Sequence, residues 1–592
     1  MTDPAEAAAP PSDDNPGRLD RVLGHRVIPW LAPFLAILVA APVLKFGFFS
    51  DDFFLFSLLD QGRVEDLYVF ATGDPAQTMP WVTRGPFGWW TDPELQFRFF
   101  RPLGARLLQW NWLAWGRDPV PYHLVALAWN ALIVVSAGLV LRRVLSPATA
   151  GLALLLYAVD ESRGLPVAWI ANHYMLPCAV FGWLAVYAHL RWREGLRAGG
   201  LLSALALALS LGFGESGLCA AAFIVAQVGF GGRTASVPPS PRWKALAPTV
   251  SVLAAWAVLY ELGDYGAAHS GTYVDPHMDP LRYLTLAPSR IAALVASLLA
   301  GFPADAWVLL PSLRVAEATV GVLALAGMAW TLRRVFPDLA PAERHALRWM
   351  LPGAALALLP VLATFPTDRL LLFPSLACLV LAATLVRWGV ATKERWGRWL
   401  AAALLLIQGV LPVLGWGAQG VFGVTLLADI DTLMDSSALA DIEGRTVILP
   451  GVSNPYASMY LSHTRWFRGE GQPARLWPLT MTPHDLRMTR PDATTLTVEV
   501  IDGEMMGTPF EDLFRAKGFV VGEVTVLDGA TITVDQLGPH GGPTHLTLRT
   551  DVPLDDPSVR VLELHAGHLV RIDVPPPGGS WRARWEPGPG GL

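Results

Sequence analysis

Long blocks of uncharged apolar residues restrict what this chain can fold into. Residues 27–44, VIPWLAPFLAILVAAPVL, form the first block, and similar blocks recur as far as residue 416. A run of about 18 or more such residues is long enough to cross a bilayer as a helix. Because 53% of the 592 residues are hydrophobic and only 16% are charged, the sequence predicts a polytopic α-helical membrane protein.

Arginine placement orients the predicted spans. Arg18, Arg21 and Arg26 precede the first block, and an excess of arginine beside a span marks its cytoplasmic end. We therefore expect a cytoplasmic N-terminus and about eleven crossings. The segment 286–303 is apolar but contains Arg290, and we interpret it as interfacial or re-entrant, since a full crossing would upset the alternation of basic clusters. After a second span ending near residue 143, further spans are predicted near residues 148–159, 173–190, 199–213, 217–230, 245–261, 315–332, 350–364, 370–387 and 399–416.

The chain changes character after about residue 418. Stretches such as TTLTVEV (494–500) and THLTLRT (544–550) alternate apolar with polar residues, as do parts of 518–534 and 559–574. This alternation is typical of strands in an antiparallel sheet with one buried face. The predicted organisation is a disordered cytoplasmic tail (1–27), a transmembrane domain (28–418) whose first outer loop is 46–120, an extracytoplasmic β-rich domain (419–574) and a disordered tail (575–592).

Composition excludes several other classes of protein. The net charge of −6 provides no basic surface for nucleic acid. Cys178, Cys219 and Cys378 lie in apolar stretches, so no disulfide framework is implied. We expect no cleavable signal peptide, because the first 28 residues are acidic, rich in Pro and Ala, and lack an early apolar core.

Polar groups from distant parts of the sequence gather on the extracytoplasmic face if this topology holds. Ionisable residues in or beside membrane spans usually face a cavity or a partner, so we treat these residues as candidates for a functional site. The candidates are Asp51, Asp52, Arg101, Tyr122, His123, Glu161, Arg163, His173, Glu215 and Arg369.

Most of these candidates also have a purely structural explanation. Asp51 and Asp52 can cap the next helix, where acids at the N-terminus are stabilising, and Arg369 can extend from its span to the interface. Glu215 is harder to explain, because a charge within apolar sequence costs roughly 2.5–3.5 kcal/mol on insertion. The candidates that are also typical of interfacial residues with satisfied hydrogen bonds are Tyr122, His123 and His173.

The loop 263–280, GDYGAAHSGTYVDPHMDP, contains two histidines and three aspartates. These residues lack the tight spacing of a metal site, so a solvated loop is the simpler interpretation. We assign no metal ligand, and dependence on a divalent metal stays open.

The order of several motifs resembles the GT-C superfamily of membrane glycosyltransferases, in particular protein O-mannosyltransferase-like bacterial proteins and multi-span mannosyltransferases. Relatives usually carry an arginine where this chain has His173, a Lys-Glu pair where it has Gly214-Glu215, and a His-Pro-x-His-type stretch where it has residues 160–163. The matching pieces, which together cover residues 28–390, are SDDFF (50–54), FRPL (100–103), YHLVALAWN (122–130), VAWIANHYML (167–176), FGESGL (213–218) and TDRLLLFPS (367–375).

The resemblance implies a sugar carried on polyprenyl phosphate and transferred at the outer face of a bacterial inner membrane. It implies that Asp51 or Asp52 is the general base of an inverting single displacement. It also implies that Arg101, Arg163 and Arg369 face the departing phosphate. The acceptor can be a protein, a lipid or a glycan, and the outer β domain is expected to hold it.

Two other classes of function stay open on the sequence. One is a transporter of lipid-linked glycans, although the inverted repeats of such proteins are not visible. The other is a non-catalytic membrane scaffold whose outer domain binds glycan or protein. An enzyme predicts that Asp51 or Asp52 shares a cavity with Glu215 and at least one of the arginines, whereas a scaffold has no reason to gather them.

Overall fold

The computed structural model describes residues 18–231 and 242–587. Within these residues, seven helices are long and apolar enough to cross a membrane. They are Ile28–Lys45, Pro119–Val144, Lys244–Leu262, Pro280–Ala300, Pro311–Asp338, Pro374–Ala391 and Arg395–Met434. Packed with them are the helices Pro147–Val159, Met175–Arg193, Gly199–Phe213, Gly217–Phe230 and Pro341–Val361. This confirms the predicted class, a polytopic helical membrane protein.

Helix starts coincide with sequence signals at several positions. Pro119 and Pro280 occupy the first helical position, where the missing N–H costs no hydrogen bond. The preceding aspartates cap these helices: Asp118 accepts a hydrogen bond from the Val120 amide at 3.1 Å, and Asp279 accepts one from the Arg282 amide at 3.0 Å. Each cap satisfies a backbone donor that has no partner inside its helix.

The helix Pro280–Ala300 contains the segment that we interpreted as interfacial. Near its start, Arg282 donates to the carbonyl of Ser270 at 2.7 Å, and near its end Ser297 donates to Asp368 at 2.6 Å. Asp368 immediately precedes the helix Pro374–Ala391. Both ends therefore contact loop segments, and the interfacial placement of this helix stays a prediction. Arg290 donates to two backbone carbonyls, those of Leu362 and Thr272.

The last helix of the bundle extends further than the sequence predicts. It runs from Arg395 to Met434 through a π-helical turn at Leu406–Val410, past the predicted boundary at residue 418. The first strand of the C-terminal region begins only at Thr446. The β-rich region is therefore attached to the bundle by a continuous helix.

Two sheets form the C-terminal region. The antiparallel sheet has the strand order Ser580–Ala583, Leu486–Thr489, Thr495–Val500, Pro543–Thr550, Ala530–Leu537 and Val524–Leu527. The second sheet has the order His568–Arg571, Val559–His565, Thr446–Leu449 and Arg475–Pro478, and its last two pairings are parallel. These sheets confirm the β-rich prediction, but the parallel pairs were not expected.

Some predicted boundaries need correction or fall outside the described residues. The strand Ser580–Ala583 pairs with Leu486–Thr489, so the prediction of a disordered tail from residue 575 is wrong there. The helix Arg18–Leu23 likewise lies within the predicted N-terminal tail. The segments outside the described residues are 1–17, 232–241 and 588–592. They contain most of the predicted N-terminal tail and much of the segment between the spans predicted near 217–230 and 245–261.

The first outer loop connects the bundle to the C-terminal region. Its strands Val69–Thr72 and Gln96–Arg98 form an antiparallel sheet with Gly266–Ala268. The helix Leu461–Arg468 of the C-terminal region packs on the loop's first helix, Asp51–Asp60, with the Phe467 ring 5.2–5.9 Å from the rings of three phenylalanines. Phe467 is partly buried in this contact, so removal of apolar surface from water helps to hold the two regions together.

Candidate active site

Asp52 lies at the start of the helix Asp51–Asp60, and hydrogen bonds occupy both oxygens of its carboxylate. Oδ2 accepts from the Phe49 amide at 3.0 Å, and Oδ1 accepts from the Ala171 amide at 2.7 Å. Its residue exposure is 1%. Burial raises the pKa of Asp52, and the two amides partly oppose that shift. Asp52 therefore joins the first outer loop to the VAWIANHYML segment. Its contacts are structural, but they are not the helix cap that the sequence suggested, because its donors are the amides of Phe49 and Ala171.

Asp51 precedes Asp52 by one residue and faces a cavity. Consecutive residues on a helix point about 100° apart because each turn holds 3.6 residues. Oδ1 of Asp51 accepts a hydrogen bond of 2.6 Å from the Tyr460 hydroxyl, and no described residue donates to Oδ2. The cavity has a volume of about 680 Å³ and is lined mainly by aromatic side chains. Asp51 thus has a carboxylate oxygen without a described hydrogen-bond donor beside a partly open cavity.

Burial controls the protonation of Asp51. It raises the pKa of Asp51 above its usual value, while the Tyr460 hydrogen bond and the positive charges of Arg369 and Arg101 lower it. The balance leaves a carboxylate that is more basic than an exposed aspartate, within the electrostatic reach of both arginines.

A second, larger cavity adjoins the first. It has a volume of about 1350 Å³, and Phe99 and Tyr273 line both cavities. Arg101, Glu215 and Arg369 line the larger one. The structure therefore brings Asp51 and these three predicted residues to two adjoining cavities.

Arg101 is held in place by Glu215 and by aromatic rings. Glu215 accepts a hydrogen bond from the Phe100 amide at 2.6 Å, and the Arg101 Nε lies 3.3 Å from its other oxygen. The Arg101 guanidinium lies 4.0 Å from the centroid of the Tyr174 ring and 4.4 Å from that of Phe99. Cation–π contacts of this kind favour the charged arginine. Glu215 lies between the helices Gly199–Phe213 and Gly217–Phe230, so its hydrogen bonds hold the FRPL segment against this junction.

Arg369 has fewer partners than Arg101. Its Nη1 donates to the Asn172 side-chain oxygen at 3.2 Å, and its guanidinium lies 5.5 Å from the centroid of the Trp169 ring. No carboxylate in residues 18–231 or 242–587 lies within salt-bridge distance of it. Arg369 therefore makes no salt bridge to a described residue, lines the wall of a cavity and lies within electrostatic reach of Asp51.

The larger cavity also has an apolar wall. Leu218, Trp256, Ala257, Pro360 and Val361 line this part, and they belong to three helices of the bundle. Trp256 belongs to the helix Lys244–Leu262. Only 11% of the apolar stretch of this helix is buried inside the protein. The wall thus lies at the periphery of the bundle, where a hydrocarbon chain can contact it.

Four predicted site residues are packed in the core instead. The Tyr122 hydroxyl donates to the Gly116 carbonyl at 2.9 Å, and the ring centroids of the buried His123 and His173 lie 6.1 Å apart. Arg163 has 0% exposure and donates to Asn130 at 2.7 Å and to the Ala158 carbonyl at 3.0 Å. None of the four lines either cavity. This corrects the prediction that Arg163 faces the departing phosphate, because its guanidinium is directed to core partners.

Glu161 lines a third cavity of about 420 Å³, together with Asp160 and Asp368. Burial and the neighbouring charges of Asp160 and Asp305 raise the pKa of Glu161 to about 7. Because this cavity shares no lining residue with the other two, the prediction that Glu161 joins the same site is also corrected.

A group that can hold a metal ion occurs in the outer loops. One ligand atom each from Asp92, Glu94 and His269 lie within 4.8 Å of one another. The Nδ1 of His269 lies 3.5 Å from Asp92, whereas its Nε2 lies 3.8 Å from Glu94. The carboxylates thus face opposite nitrogens of one imidazole, an arrangement that suits an ion pair with protonated histidine as well as a metal. None of the three lines the cavities described above.

Residues of the C-terminal region complete the site, and the sequence did not reveal them. Tyr460, His463 and Phe514 line the Asp51 cavity, and the Tyr456 hydroxyl lies 2.9 Å from the Ser50 hydroxyl. The aromatic segment NPYASMYLSH offers no spacing that connects it to residue 51. Only the fold brings these parts together.

Comparisons with known proteins give a limited result. No family model and no curated protein matches the sequence. The chain is similar to solved structures of the Archaeoglobus fulgidus oligosaccharyltransferase. The apo form has a TM-score of 0.40 and the form tethered to an acceptor peptide with the NVT sequon has 0.39, both at 12% identity over 77% of this chain and 64% of that chain.

A further solved structure from the same organism is archaeal oligosaccharyltransferase AglB in complex with an inhibitory peptide and a dolichol-phosphate. It matches with a TM-score of 0.39 and 11% identity over 76% of this chain and 64% of that chain. This chain therefore spans less than two thirds of the length of these proteins.

Proposed function

We propose that this protein is a membrane glycosyltransferase that transfers a sugar from a polyprenyl-phosphate donor to an acceptor at the extracytoplasmic face. The observation that carries the proposal is the pair of adjoining cavities. One contains the free carboxylate oxygen of Asp51 and the other contains Arg101 and Arg369, with Phe99 and Tyr273 between them. A scaffold does not need a carboxylate with a free oxygen near an arginine, Arg369, that makes no salt bridge to a described residue.

The donor occupies the larger cavity in this proposal. Guanidinium groups bind phosphate through paired, charge-assisted hydrogen bonds. Arg369 has no carboxylate partner among the described residues. The Nη nitrogens of Arg101 make no hydrogen bond to a described residue, because only its Nε donates to Glu215. The two guanidinium groups can therefore both contact the phosphate. The isoprenoid tail then lies along the apolar wall of Leu218, Trp256 and Val361.

Asp51 acts as the general base. The acceptor hydroxyl attacks the anomeric carbon of the sugar, the bond from that carbon to the phosphate oxygen breaks, and Oδ2 of Asp51 takes the hydroxyl proton. The polyprenyl phosphate leaves with the bonding electrons, and its charge is balanced by Arg101 and Arg369. Because this is one displacement, the configuration of the anomeric carbon is inverted.

The C-terminal region contributes to the reaction centre as well as to acceptor binding. The Tyr460 hydroxyl donates to Asp51 at 2.6 Å and holds Oδ1, so that Oδ2 is directed to the acceptor. Residues 459–463 and 513–514 also form part of the cavity wall. Deletion of residues 435–592 should therefore abolish transfer, because it removes both the hydrogen bond and the wall.

The test is mass spectrometry of the glycoconjugates lost from a strain that lacks this protein. Complementation with the wild-type gene restores them, whereas Asp51→Asn does not, although the variant is inserted in the membrane at the normal level. Asp60→Asn is the matched control, since Asp60 ends the same helix and is exposed. Restoration by Asp51→Asn at wild-type level would refute the general base, and an unchanged glycoconjugate profile in the deletion strain would refute the enzyme.

A further inference from the structure

The lining of the Asp51 cavity is unusually apolar for a site that receives a hydroxyl group. Hydrophobic and aromatic groups provide most of it, with contributions from the first outer loop, residue 273 and the C-terminal region. Six phenylalanines line it, namely Phe54, Phe70, Phe87, Phe97, Phe99 and Phe514.

Only a few polar groups reach this cavity. The lining residues whose side chains carry polar atoms are Asp51, Tyr273, Tyr460 and His463. The buried Nδ1 of His463 has no hydrogen-bond partner among the described residues. The His463 ring lies between aromatic side chains, 5.3 Å from Phe54 and 6.4 Å from Trp81 by ring centroids. Burial lowers the pKa of His463 to about 4, so the ring is neutral at pH 7.

The number of polar partners limits what the cavity can bind. Each polar group that is buried without a hydrogen bond costs roughly 1–3 kcal/mol, so a sugar ring or a peptide would bury several groups that this wall does not satisfy. An apolar molecule with a single hydroxyl satisfies its one polar group at Asp51, and its body gains the energy of burial against the phenylalanines.

We propose that the acceptor is a neutral molecule with an apolar body and one reactive hydroxyl group, bound in the aromatic cavity between the first outer loop and the C-terminal region. This inference rests on the proposed function, in which Asp51 takes the proton of that hydroxyl. The hydroxyl lies beside Oδ2 of Asp51, and the apolar body contacts Phe87, Phe97 and Phe514.

A photoreactive alcohol tests this inference without any need for transfer. The probe is 4-[3-(trifluoromethyl)-3H-diazirin-3-yl]benzyl alcohol, which is neutral, aromatic and carries one hydroxyl. The full-length protein in lipid nanodiscs is irradiated with the probe, and labelled residues are mapped by peptide mass spectrometry. We expect labels on the cavity-lining segments 51–54, 86–99, 459–463 and 513–514, with protection by excess benzyl alcohol.

Variants that fill the cavity separate specific labelling from partition into lipid. Met459→Trp and Leu513→Trp place an indole in the cavity, and we expect each to reduce cavity labelling about tenfold, which corresponds to a loss of about 1.4 kcal/mol in binding. The matched control is Met278→Trp, because Met278 is 42% exposed and lines neither cavity. Thermal unfolding of each variant shows that it is folded.

Two results would overturn the inference. One is labelling confined to lipid-facing helices and unchanged by Met459→Trp and Leu513→Trp. The other is protection of the cavity by methyl α-glucoside or by the peptide acetyl-Ala-Ser-Ala-amide, but not by benzyl alcohol, which would indicate a glycan or a protein acceptor. Neither result depends on catalysis, so the effect of Asp51→Asn on the glycoconjugates tests the proposed function separately.

Discussion

Two groups of polar side chains lie in apolar surroundings at the same end of this bundle, and they differ in what their polar atoms contact. The wall residues, Asp51, Arg101, Glu215 and Arg369, line the two adjoining cavities. The core residues, named here for their 0–4% exposure, line neither of these cavities. They hydrogen-bond to backbone or amide groups or pack ring against ring, although some of their buried nitrogens, such as Nη1 of Arg163, have no hydrogen-bond partner among the described residues. They are Asp52, Tyr122, His123, Arg163 and His173.

The comparison shows why an ionisable residue in an apolar sequence is an ambiguous signal. Each group contains an aspartate and an arginine, and burial alone would mark the core group as the more unusual. Both carboxylate oxygens of Asp52, and Nε and Nη2 of Arg163, nevertheless have core partners. Asp51 and Arg369 instead line a cavity. Free polar atoms at a cavity wall, rather than burial, therefore distinguish candidates for chemistry from candidates for stability.

Arg369 offers the largest expected effect after Asp51 itself. Arg369→Gln removes a charged hydrogen-bond donor worth about 1.5–3 kcal/mol, so transfer should fall by roughly ten- to a hundredfold. Stability should change little, because Arg369 has no carboxylate partner among the described residues. Initial rates in membrane vesicles, with the glycoconjugate missing from the deletion strain as product, measure this. The control is Arg398→Gln at an exposed position of the last helix, and equal activity of both variants would remove Arg369 from the donor site.

Asp52→Asn tests the core side of the comparison. An asparagine at residue 52 keeps one acceptor oxygen but presents an NH₂ group to a backbone N–H, which leaves a buried donor unsatisfied at a cost of about 1–3 kcal/mol. We expect a lower thermal midpoint in detergent and a nearly unchanged transfer rate per folded molecule. If Asp52→Asn has wild-type stability and no transfer activity, Asp52 takes part in the chemistry, as we propose for the wall residues.

Glu215→Gln should have a moderate effect that acts through Arg101. Glutamine keeps the acceptor for the Phe100 amide but loses the charge beside the Arg101 guanidinium. Because Arg101 is then held less firmly, we expect a several-fold loss of the transfer rate. Arg101→Gln should reduce the rate less in the Glu215→Gln background than in the wild-type protein. A double-mutant cycle of rates measures this coupling, and strictly additive effects would contradict a positioning role.

Tyr460→Phe should produce the smallest change, a shift of the pH dependence. Transfer needs ionised Asp51, whose pKa burial raises above the usual value, so the rate falls as the pH drops through that pKa. The Tyr460 hydrogen bond stabilises the ionised form, and its removal raises the pKa, so the acid limb of the rate profile should move to higher pH. If the acid limb of the rate profile moves to lower pH or does not move, the Tyr460 hydrogen bond does not stabilise the ionised base.

Much of the fold is readable from the sequence because long apolar runs and period-two alternation are local signals. The spans near 199–213 and 217–230 coincide with the helices Gly199–Phe213 and Gly217–Phe230, and the strands at 494–500 and 544–550 are present within a residue. The strand Thr446–Leu449 was not predicted, since its four consecutive buried residues carry no alternation. Short apolar runs of this kind do not distinguish strand from helix.

The site is only partly readable because its geometry depends on contacts between distant residues. The motif SDDFF identifies the acid pair, but only the helix that starts at Asp51 decides which carboxylate meets the cavity. Tyr460, which donates to Asp51, lies 409 residues further along the chain. Arg163 follows a span just as Arg369 precedes one, yet only the folded core shows that Asn130 takes the Arg163 Nε hydrogen bond.

The most direct test compares Asp51→Asn with Asp52→Asn, as transfer rate per folded molecule in membrane vesicles together with the thermal midpoint. We expect Asp51→Asn to keep the wild-type midpoint and to lose at least about a hundredfold in rate, as general-base removal does. Asp52→Asn should lower the thermal midpoint and leave the transfer rate per folded molecule nearly unchanged. Wild-type transfer by Asp51→Asn, or an inactive Asp52→Asn of full stability, would contradict the assignment of Asp51 as the base.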